Sequence, residues 1–162
     1  MRRTAYARAH GRALAVTLRE VTRHNIQALM NLDAGDGGRQ VAPNAKSMAQ
    51  AAVYGEAWPR AIYADDEVVG FVMLYDPSQV AEPEEPDFFL WRLMVDRAWQ
   101  GLGIGLAALR LGIEHVQGRP HPGEMFTSIV EPAPQLITFY GQAGFELTDQ
   151  YIDGERVLRL VL

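Results

Sequence analysis

The sequence predicts an α/β (mixed α+β) fold, in which helices cover both faces of a mixed, mainly antiparallel sheet of about seven strands. Apolar stretches at Arg60–Ala64 and Val68–Tyr75 flank a short acidic turn, which predicts an antiparallel hairpin. Residues 88–130 read as strand, glycine-rich loop, amphipathic helix and strand. A crossover helix reverses the chain, so the two strands beside it must run parallel.

Two helices are expected before the hairpin. Alternating apolar residues predict a strand over Leu14–Val21, after which Thr22 is expected to cap a helix that runs to Leu32. Ser47–Gln50 matches the capping-box pattern, in which serine and a glutamine three residues later satisfy backbone N–H groups at a helix start. This predicts a second helix that extends to Glu56.

The second half of the chain is expected to form the parallel strand pair and the last two strands of the sheet. Phe88–Val95 is apolar at almost every position, which is typical of a central strand that is buried on both faces. Apolar residues at helical spacing follow in Gly103–Gln117. The remaining predicted elements are a strand at Met125–Val130, a helix at Pro134–Ala143 ended by Gly144, and strands at Phe145–Asp149 and Arg156–Leu162.

Composition narrows the class of protein. A chain of 162 residues with 48% hydrophobic residues is expected to form one domain, here residues 14–162, with a full core. The chain has no cysteine, which excludes disulfides, thiolate metal sites and a cysteine acyl-enzyme and is consistent with a cytoplasmic location. The four histidines lack ligand spacing, so no metal is expected. No apolar run approaches a membrane span, so no membrane association is expected.

The N-terminal segment Met1–Ala13 differs from the rest of the chain. It carries no acidic residue and four arginines, Arg2, Arg3, Arg8 and Arg12, yet lacks the apolar centre of a signal peptide. We expect it to form a flexible basic tail. The whole chain has a formal net charge of −5, and this acidity resides in the remainder, which should repel nucleic acid.

Three glycines at alternating positions, Gly101, Gly103 and Gly105, precede the predicted long helix. Glycine lets the backbone approach a ligand closely, and N–H groups at a helix start bind phosphate. The loop therefore predicts a site for a pyrophosphate-bearing cofactor, with a purely structural turn as the alternative. Residues 103–108 also fit the dinucleotide pattern G-x-G-x-x-G/A, but a polar linker separates them from their strand, unlike a doubly wound sheet.

A longer pattern, Gln100-x-x-Gly103-x-Gly105 after Leu93–Asp96, resembles the acyl-CoA pyrophosphate loop of the GCN5-related N-acetyltransferase (GNAT) family. A second block, Phe139–Phe145, resembles that family's Leu-Tyr-x-x-x-Gly-Phe signature. Three shorter stretches look like the spermine/spermidine (diamine) acetyltransferase branch: Val41–Asn44, Pro59–Tyr63 and Phe89–Arg92. The resemblance spans nearly the whole chain and implies a parallel strand pair splayed around acetyl-CoA.

The resemblance implies an acyltransferase that moves acetyl from acetyl-CoA directly to a primary amine of a small cationic substrate, with a polyamine or diamine favoured. The pantetheine arm would pair with strand backbone at Met94 and Val95. A free N–H there, assigned to Val95 with Met94 as the alternative, would polarise the thioester carbonyl, an effect worth on the order of 3 kcal/mol. The remaining implied cofactor contacts are Gln100, Gly101, Leu102, Gly103, Ile104, Gly105, Leu106 and Tyr140.

Tyr140 is the residue we expect to protonate the departing CoA sulfur. A phenol has a reference pKa near 10 and a thiol one near 8.5, so a phenol can give a proton to a thiolate formed beside it. The alternative is a core residue of the helix. Ala133 stands where the family often has asparagine, seven residues before the tyrosine, which predicts weaker acetyl-CoA binding.

The general base is not identified by the sequence. Where some family members carry an acid on the central strand, this chain has Trp91, followed by Arg92, and neither is a base. Asp87, Glu131 and water chains to either remain open, as does a cleft that lowers the amine pKa by desolvation.

A cationic acceptor is also suggested by the acidic segment before the central strand. Its residues, together with aromatic Trp91, are the predicted substrate contacts: Glu82, Glu84, Glu85 and Asp87. A solvated acidic loop is the plain alternative. An amine drug or a protein N-terminus is the alternative acceptor, and a catalytically silent CoA-binding sensor is the alternative of another class. The apolar run Val157–Leu162 makes a homodimer possible.

Overall fold

The computed structural model describes residues 13–162, in which seven strands form one sheet in the order β1-β2-β3-β4-β5-β7-β6. The strands are β1 (Val16–Glu20), β2 (Ala57–Ala64), β3 (Glu67–Tyr75), β4 (Phe88–Val95), β5 (Glu124–Ile129), β6 (Glu146–Ile152) and β7 (Glu155–Val161). The helices are α1 (Ile26–Met30), α2 (Asn44–Ala51), α3 (Ile104–Gln117) and α4 (Pro134–Gly141). The predicted mixed sheet with one parallel pair is confirmed. Apart from Ala13, the predicted basic tail lies outside the described residues.

The parallel pair is short, and this opens the sheet. β4 and β5 are in register only at Phe88 with Met125 and Phe89 with Phe126. One residue further along β4, the Thr127 hydroxyl donates to the Leu90 carbonyl at 3.2 Å. Beyond that point the two strands have no paired residues, although β4 runs to Val95 and β5 to Ile129. We call this opening the splay.

A β-bulge begins the splay. Met73 of β3 pairs with Arg92, and Leu74 pairs with Leu90, so Trp91 is the extra residue of β4. A bulge bends its strand and increases its twist, which turns the C-terminal half of β4 away from β5.

Two apolar clusters hold the helices on the sheet. One face packs under α3 and α4 and contains buried Ile62, Leu74 and Leu109. The other packs under α1 and α2 and contains buried Leu29 and Phe71. Each fully buried aliphatic or aromatic side chain contributes about 2 kcal/mol from removal of apolar surface from water.

Both early helices differ from prediction. α1 has only five residues, because Asn25 rather than Thr22 precedes it, and Asn25 accepts a 2.8 Å hydrogen bond from the Thr22 N–H. The predicted capping box is also wrong: α2 begins three residues before Ser47, after Pro43, and ends at Ala51 instead of Glu56. Proline presets a helix-compatible φ, and Ser47 consequently lies inside the helix with its hydroxyl buried and unpartnered.

A buried carboxylate ties the end of β3 to α3. Asp76 is wholly buried and accepts hydrogen bonds from His115 Nε2 at 2.9 Å and from the backbone N–H of Ser78 at 3.0 Å. It also forms an ion pair with Arg119, whose Nε lies 3.1 Å from Oδ2. Burial acts to raise the pKa of Asp76, but the bonds from His115 and Ser78 and the charge of Arg119 outweigh it and hold the pKa below its usual value. His115 also stacks on Trp58, with ring centroids 3.9 Å apart.

The C-terminal strand lies inside the sheet. β7 pairs with β5 on one side and β6 on the other, so Val157–Leu162 offers no free strand edge. The edges of the described sheet are β1 and β6, and β6 exposes Tyr151 and Ile152. A homodimer stays a prediction. In residues 13–162 the longest helix, α3, has 14 residues, and no helix there meets the length and apolarity of a membrane span.

Candidate active site

The splay opens into a cleft of about 870 Å³. Its walls are the C-terminal half of β4, the loop before α3, the start of α4 and the loop between α1 and α2. Nine of the ten predicted cofactor contacts line this cleft, and Leu102 does not. The cleft contacts Met94, Val95, Gln100, Gly101, Gly103, Ile104, Gly105, Leu106 and Tyr140.

The loop before α3 has a backbone form suited to an anion. Gly101 and Gly103 adopt φ values of +76° and +79°, a region that side chains disfavour, and a Cβ at either would meet no atom within 4 Å. Gly103 occupies the N-cap position, and no side chain caps the first turn of α3. The N–H groups that begin this 14-residue helix are therefore free to bind a phosphate group. The loop fits a pyrophosphate.

The side chains of two predicted cofactor contacts, Gln100 and Leu102, make contacts within the protein instead. Gln100 Nε2 donates to the carbonyls of Ala34 at 2.8 Å and Val95 at 2.9 Å, which fastens the loop between α1 and α2 to the end of β4. Leu102 packs against the core cluster under α3 and is outside the cleft lining. Any contact of Gln100 with a pyrophosphate must therefore come from its backbone.

The backbone at the end of β4 points one unpaired N–H toward the splay. Asp96 N donates to Val69 O of β3 at 2.8 Å. Because N–H groups alternate in direction along an extended strand, the Val95 N–H faces the opposite side, where β5 has diverged. This orientation suits a donor to a carbonyl bound in the cleft.

Tyr140 lies on α4 and lines the cleft with only 8% of its surface exposed. Edge-on contacts with Phe139 and Phe145, at centroid distances of 5.1 and 5.6 Å, fix the ring. Burial raises the pKa of Tyr140 to about 12, although a hydrogen bond with the Thr127 side chain opposes that rise. The phenol is therefore protonated at neutral pH.

Two hydrogen bonds that connect the α1–α2 loop to the end of β5, at the mouth of the splay, were not predicted from the sequence. Gln40, between α1 and α2, donates from Nε2 to Val130 O at 2.7 Å and accepts from Val130 N at 3.0 Å. These bonds satisfy the backbone just beyond β5, where no strand partner remains. The 90-residue separation of the two partners leaves no local pattern that could have revealed the contact.

The predicted substrate contacts lie elsewhere. The four acids before β4 are exposed and outside the cleft lining: Glu82, Glu84, Glu85 and Asp87. Trp91 packs on the α1/α2 face against Tyr54 and Tyr75, with ring centroids 5.5 and 5.3 Å away. Burial raises the pKa of Tyr75, and the nearby charges of Glu84 and Glu85 add to that rise. Glu84 and Glu85 thus lie beside Tyr75, at the opposite end of β4 from the cofactor loop.

The residue after Trp91 is a half-buried cation. Arg92 donates to Trp91 O at 2.7 Å and to Gln50 Oε1 at 3.0 Å, whereas its Nε is buried without a partner. Burial lowers the pKa of Arg92, and the charge of Glu155 opposes this. Within residues 13–162 Arg92 forms no ion pair within 4.0 Å, and no three His, Asp or Glu side chains there form a metal-binding group.

Comparison with known proteins agrees with this geometry. A model of the acetyltransferase (GNAT) family matches residues 38–145. The spermine/spermidine N(1)-acetyltransferase of Bacillus subtilis (strain 168) is 23% identical over 148 residues, which cover 90% of this chain and 97% of that protein.

Two solved structures share the fold. Aminoglycoside acetyltransferase AAC(6′)-Ib in complex with coenzyme A has a TM-score of 0.72 and 20% identity over 91% of this chain and 95% of its own. Arabidopsis thaliana Naa50, in complex with a bisubstrate analogue, has a TM-score of 0.66 and 24% identity over 91% of this chain and 99% of its own.

Proposed function

The chain belongs to the GNAT family of acetyltransferases, and we propose that it transfers acetyl from acetyl-CoA directly to a primary amine of a small cationic substrate, with a polyamine or diamine favoured. The observation that carries the proposal is the splay itself: a cleft between β4 and β5 that is lined by a phosphate-binding loop and a buried phenol. Such a cleft admits the two substrates from opposite faces of the sheet, as direct transfer requires.

Acetyl-CoA supplies the activated acyl group in this proposal, and the chain anchors its pyrophosphate with backbone. The N–H groups of Gly103, Ile104 and Gly105 lie at the positive end of the α3 dipole. The same helix end and the open surface over the two positive-φ glycines leave room for phosphate oxygens. Ala133 is buried at the start of α4 and lines the cleft, where the family often offers an asparagine amide. We expect Ala133→Asn to tighten acetyl-CoA binding.

The chemical step needs one donor to the carbonyl and one to the sulfur. The Val95 N–H would stabilise the oxyanion that forms when the amine attacks, an effect on the order of 3 kcal/mol. Tyr140 would give its proton to the sulfur as the C–S bond breaks. A pKa of about 12 keeps the phenol protonated before the step, although it also makes Tyr140 a weaker acid. The transfer therefore depends on the thiolate forming in the same water-excluded cleft, where burial raises the basicity of the sulfur as well.

Two observations support a cationic acceptor. The Bacillus subtilis relative is described as an acetyltransferase for spermine and spermidine, and its similarity spans 90% of this chain. Exposed acids border Trp91, Tyr54 and Tyr75, an arrangement that attracts alkylammonium groups by charge and cation–π contact. The lack of cysteine supports direct transfer and, with it, a cytoplasmic site of action.

Free-thiol release from acetyl-CoA tests the proposal against spermidine, spermine, putrescine, an aminoglycoside and a short peptide. We expect saturable release with the polyamines. Release only with the aminoglycoside or the peptide would keep the reaction and replace the acceptor. Saturable CoA binding without release for any amine would overturn the enzymatic proposal in favour of a CoA-binding module.

A further inference from the structure

A partly buried carboxylate on β7 borders the splay. Glu155 is the first residue of β7 and is partly buried. Its Oε2 accepts a 2.6 Å hydrogen bond from Ser128 Oγ. Ser128 lies on β5 two residues beyond Phe126, the last residue of β5 in register with β4. The Ser128–Glu155 pair therefore borders the free edge of the splay.

Side-chain alternation fixes the face on which this pair lies. Met125 and Ile129 belong to the cluster under α3 and α4. Ser128 alternates with them, so it points to the other face, where α1 and α2 lie. Arg92, bound to Gln50 of α2, lies on the same face from the β4 side. Arg92 and Glu155 therefore lie on the same face of the sheet, on opposite sides of the gap. Burial lowers the pKa of Arg92, and the charge of Glu155 opposes this.

We propose that Glu155, acting through Ser128, accepts the proton of the attacking amine. The proposal rests on acetyl transfer to an amine as the reaction. It supplies the base for which the strand position of Trp91 offers none, because arginine is always protonated and tryptophan has no basic nitrogen. The other carboxylates are less suitable: Asp87 is exposed before β4, and Glu131 is bound to Tyr151 at 3.1 Å.

Every proton in the proposed acetyl transfer has a donor and an acceptor. The ammonium gives one proton to Ser128 Oγ as the Ser128 hydroxyl proton passes to Glu155 Oε2, and Glu155 later releases it to water. The neutral nitrogen forms the C–N bond, and the C–S bond breaks with its electron pair on sulfur. The nitrogen loses its second proton as the C–S bond breaks, and this proton restores the phenol of Tyr140 after Tyr140 has protonated the sulfur.

The charged and titratable groups around Glu155 are few. Arg92 faces it from β4, Ser128 binds it from β5, and Ile152 of β6 is its neutral cross-strand partner. The adjacent Arg156 is engaged with Glu131 at 3.8 Å and Asp149 at 3.5 Å.

The test compares Glu155→Gln with Glu124→Gln, a surface carboxylate on β5 that pairs with Arg159. With spermidine at pH 7, we expect Glu155→Gln to lower kcat/KM at least ~100-fold, the lower end of what a general base contributes. Its rate should then rise about tenfold per pH unit toward the amine pKa near 10.4, because the neutral amine no longer needs a base. Glu124→Gln should match wild type.

A fluorinated alkylamine that is already neutral at pH 7 provides the second arm. Wild type and Glu155→Gln should acetylate it at similar rates, and Ser128→Ala should show a weaker form of the same pattern with spermidine. A loss that is equal at every pH and for both amines, or a loss confined to Glu131→Gln or Asp87→Asn, overturns the proposal. If Glu155→Gln does not fold, Ser128→Ala and the two amines decide in the same way. A wild type inactive with every amine would instead refute the reaction itself.

Discussion

The two sides of the splay are built in different ways. On the α3/α4 side the site consists mainly of backbone from two short continuous segments, residues 94–106 and the helix that holds Tyr140. On the α1/α2 side it consists of side chains from α2, β4, β5 and β7: Gln50, Trp91, Arg92, Ser128 and Glu155. The proposed cofactor contacts therefore form a motif in the sequence, whereas the proposed acceptor contacts come together only when the sheet forms.

If the two sides of the splay are independent of the rest of the fold, substitutions on either side should change binding or catalysis without unfolding the protein. Asp76, which lies on neither side, provides the reference for a substitution that affects stability alone. Asp76→Asn removes the charge that His115 and Arg119 share, and we expect a loss of roughly 3 kcal/mol in the free energy of unfolding, as for a broken buried ion pair. Denaturant unfolding measures it. Both Michaelis constants should stay near wild type below the unfolding transition, and a change in only one of them would count against this separation.

The same carboxylate gives a pH test with a fixed sign. The pKa of Asp76 is lower in the folded than in the unfolded chain, so its contribution is present above the unfolded value near 3.9 and is lost as pH falls through the folded value. Wild type should therefore lose more stability on acidification than Asp76→Asn does. Equal acid sensitivity of the two proteins would contradict this.

A side chain at a positive-φ position should disrupt the loop before α3, which the proposal assigns to pyrophosphate binding. Gly103→Val places a β-branched residue at φ +79°, which costs about 1–3 kcal/mol and should shift the loop, so CoA affinity falls at least ~10-fold by calorimetry. Gly141→Ala is the control, because Gly141 is helical and has open space beside it. Unchanged affinity in Gly103→Val would mean that the loop does not bind the pyrophosphate.

Tyr140→Phe tests the proposed role of Tyr140 as the acid that protonates the CoA sulfur. We expect kcat to fall at least ~100-fold while CoA affinity remains within about twofold, since a positioned general acid typically contributes ~100- to 10,000-fold. Because the pKa of Tyr140 is about 12, wild type should show no alkaline loss from this residue below pH 10. Tyr63→Phe, remote from the cleft, serves as the control, and equal activity of the two variants would leave Tyr140 only a packing role.

The smallest effect is expected at the acidic segment before β4. Glu84→Gln with Glu85→Gln should raise KM for spermidine about two- to threefold at low salt and less at high salt, because exposed charges are screened. KM for acetyl-CoA should not change. A larger effect that persists at high salt would show a direct, desolvated contact instead.

The sequence predicted the sheet, and the proposed cofactor contacts are easier to find from sequence than the proposed acceptor contacts, for a physical reason. Three glycines and a tyrosine with its Gly144-Phe145 lie within short continuous segments, where local conformation determines the site. The Ser128–Glu155 bond joins residues 27 apart and the Gln40–Val130 bonds join residues 90 apart. Local propensity also failed for α2, because Pro43 set the helix start and overrode the Ser47 capping pattern.

An initial-velocity grid of thiol release, with acetyl-CoA and spermidine both varied, tests the central claim most directly. If the two sides of the splay hold both substrates at once, the double-reciprocal lines intersect. Parallel lines, which indicate an acetylated enzyme, or no thiol release at any concentration would contradict direct transfer in this cleft.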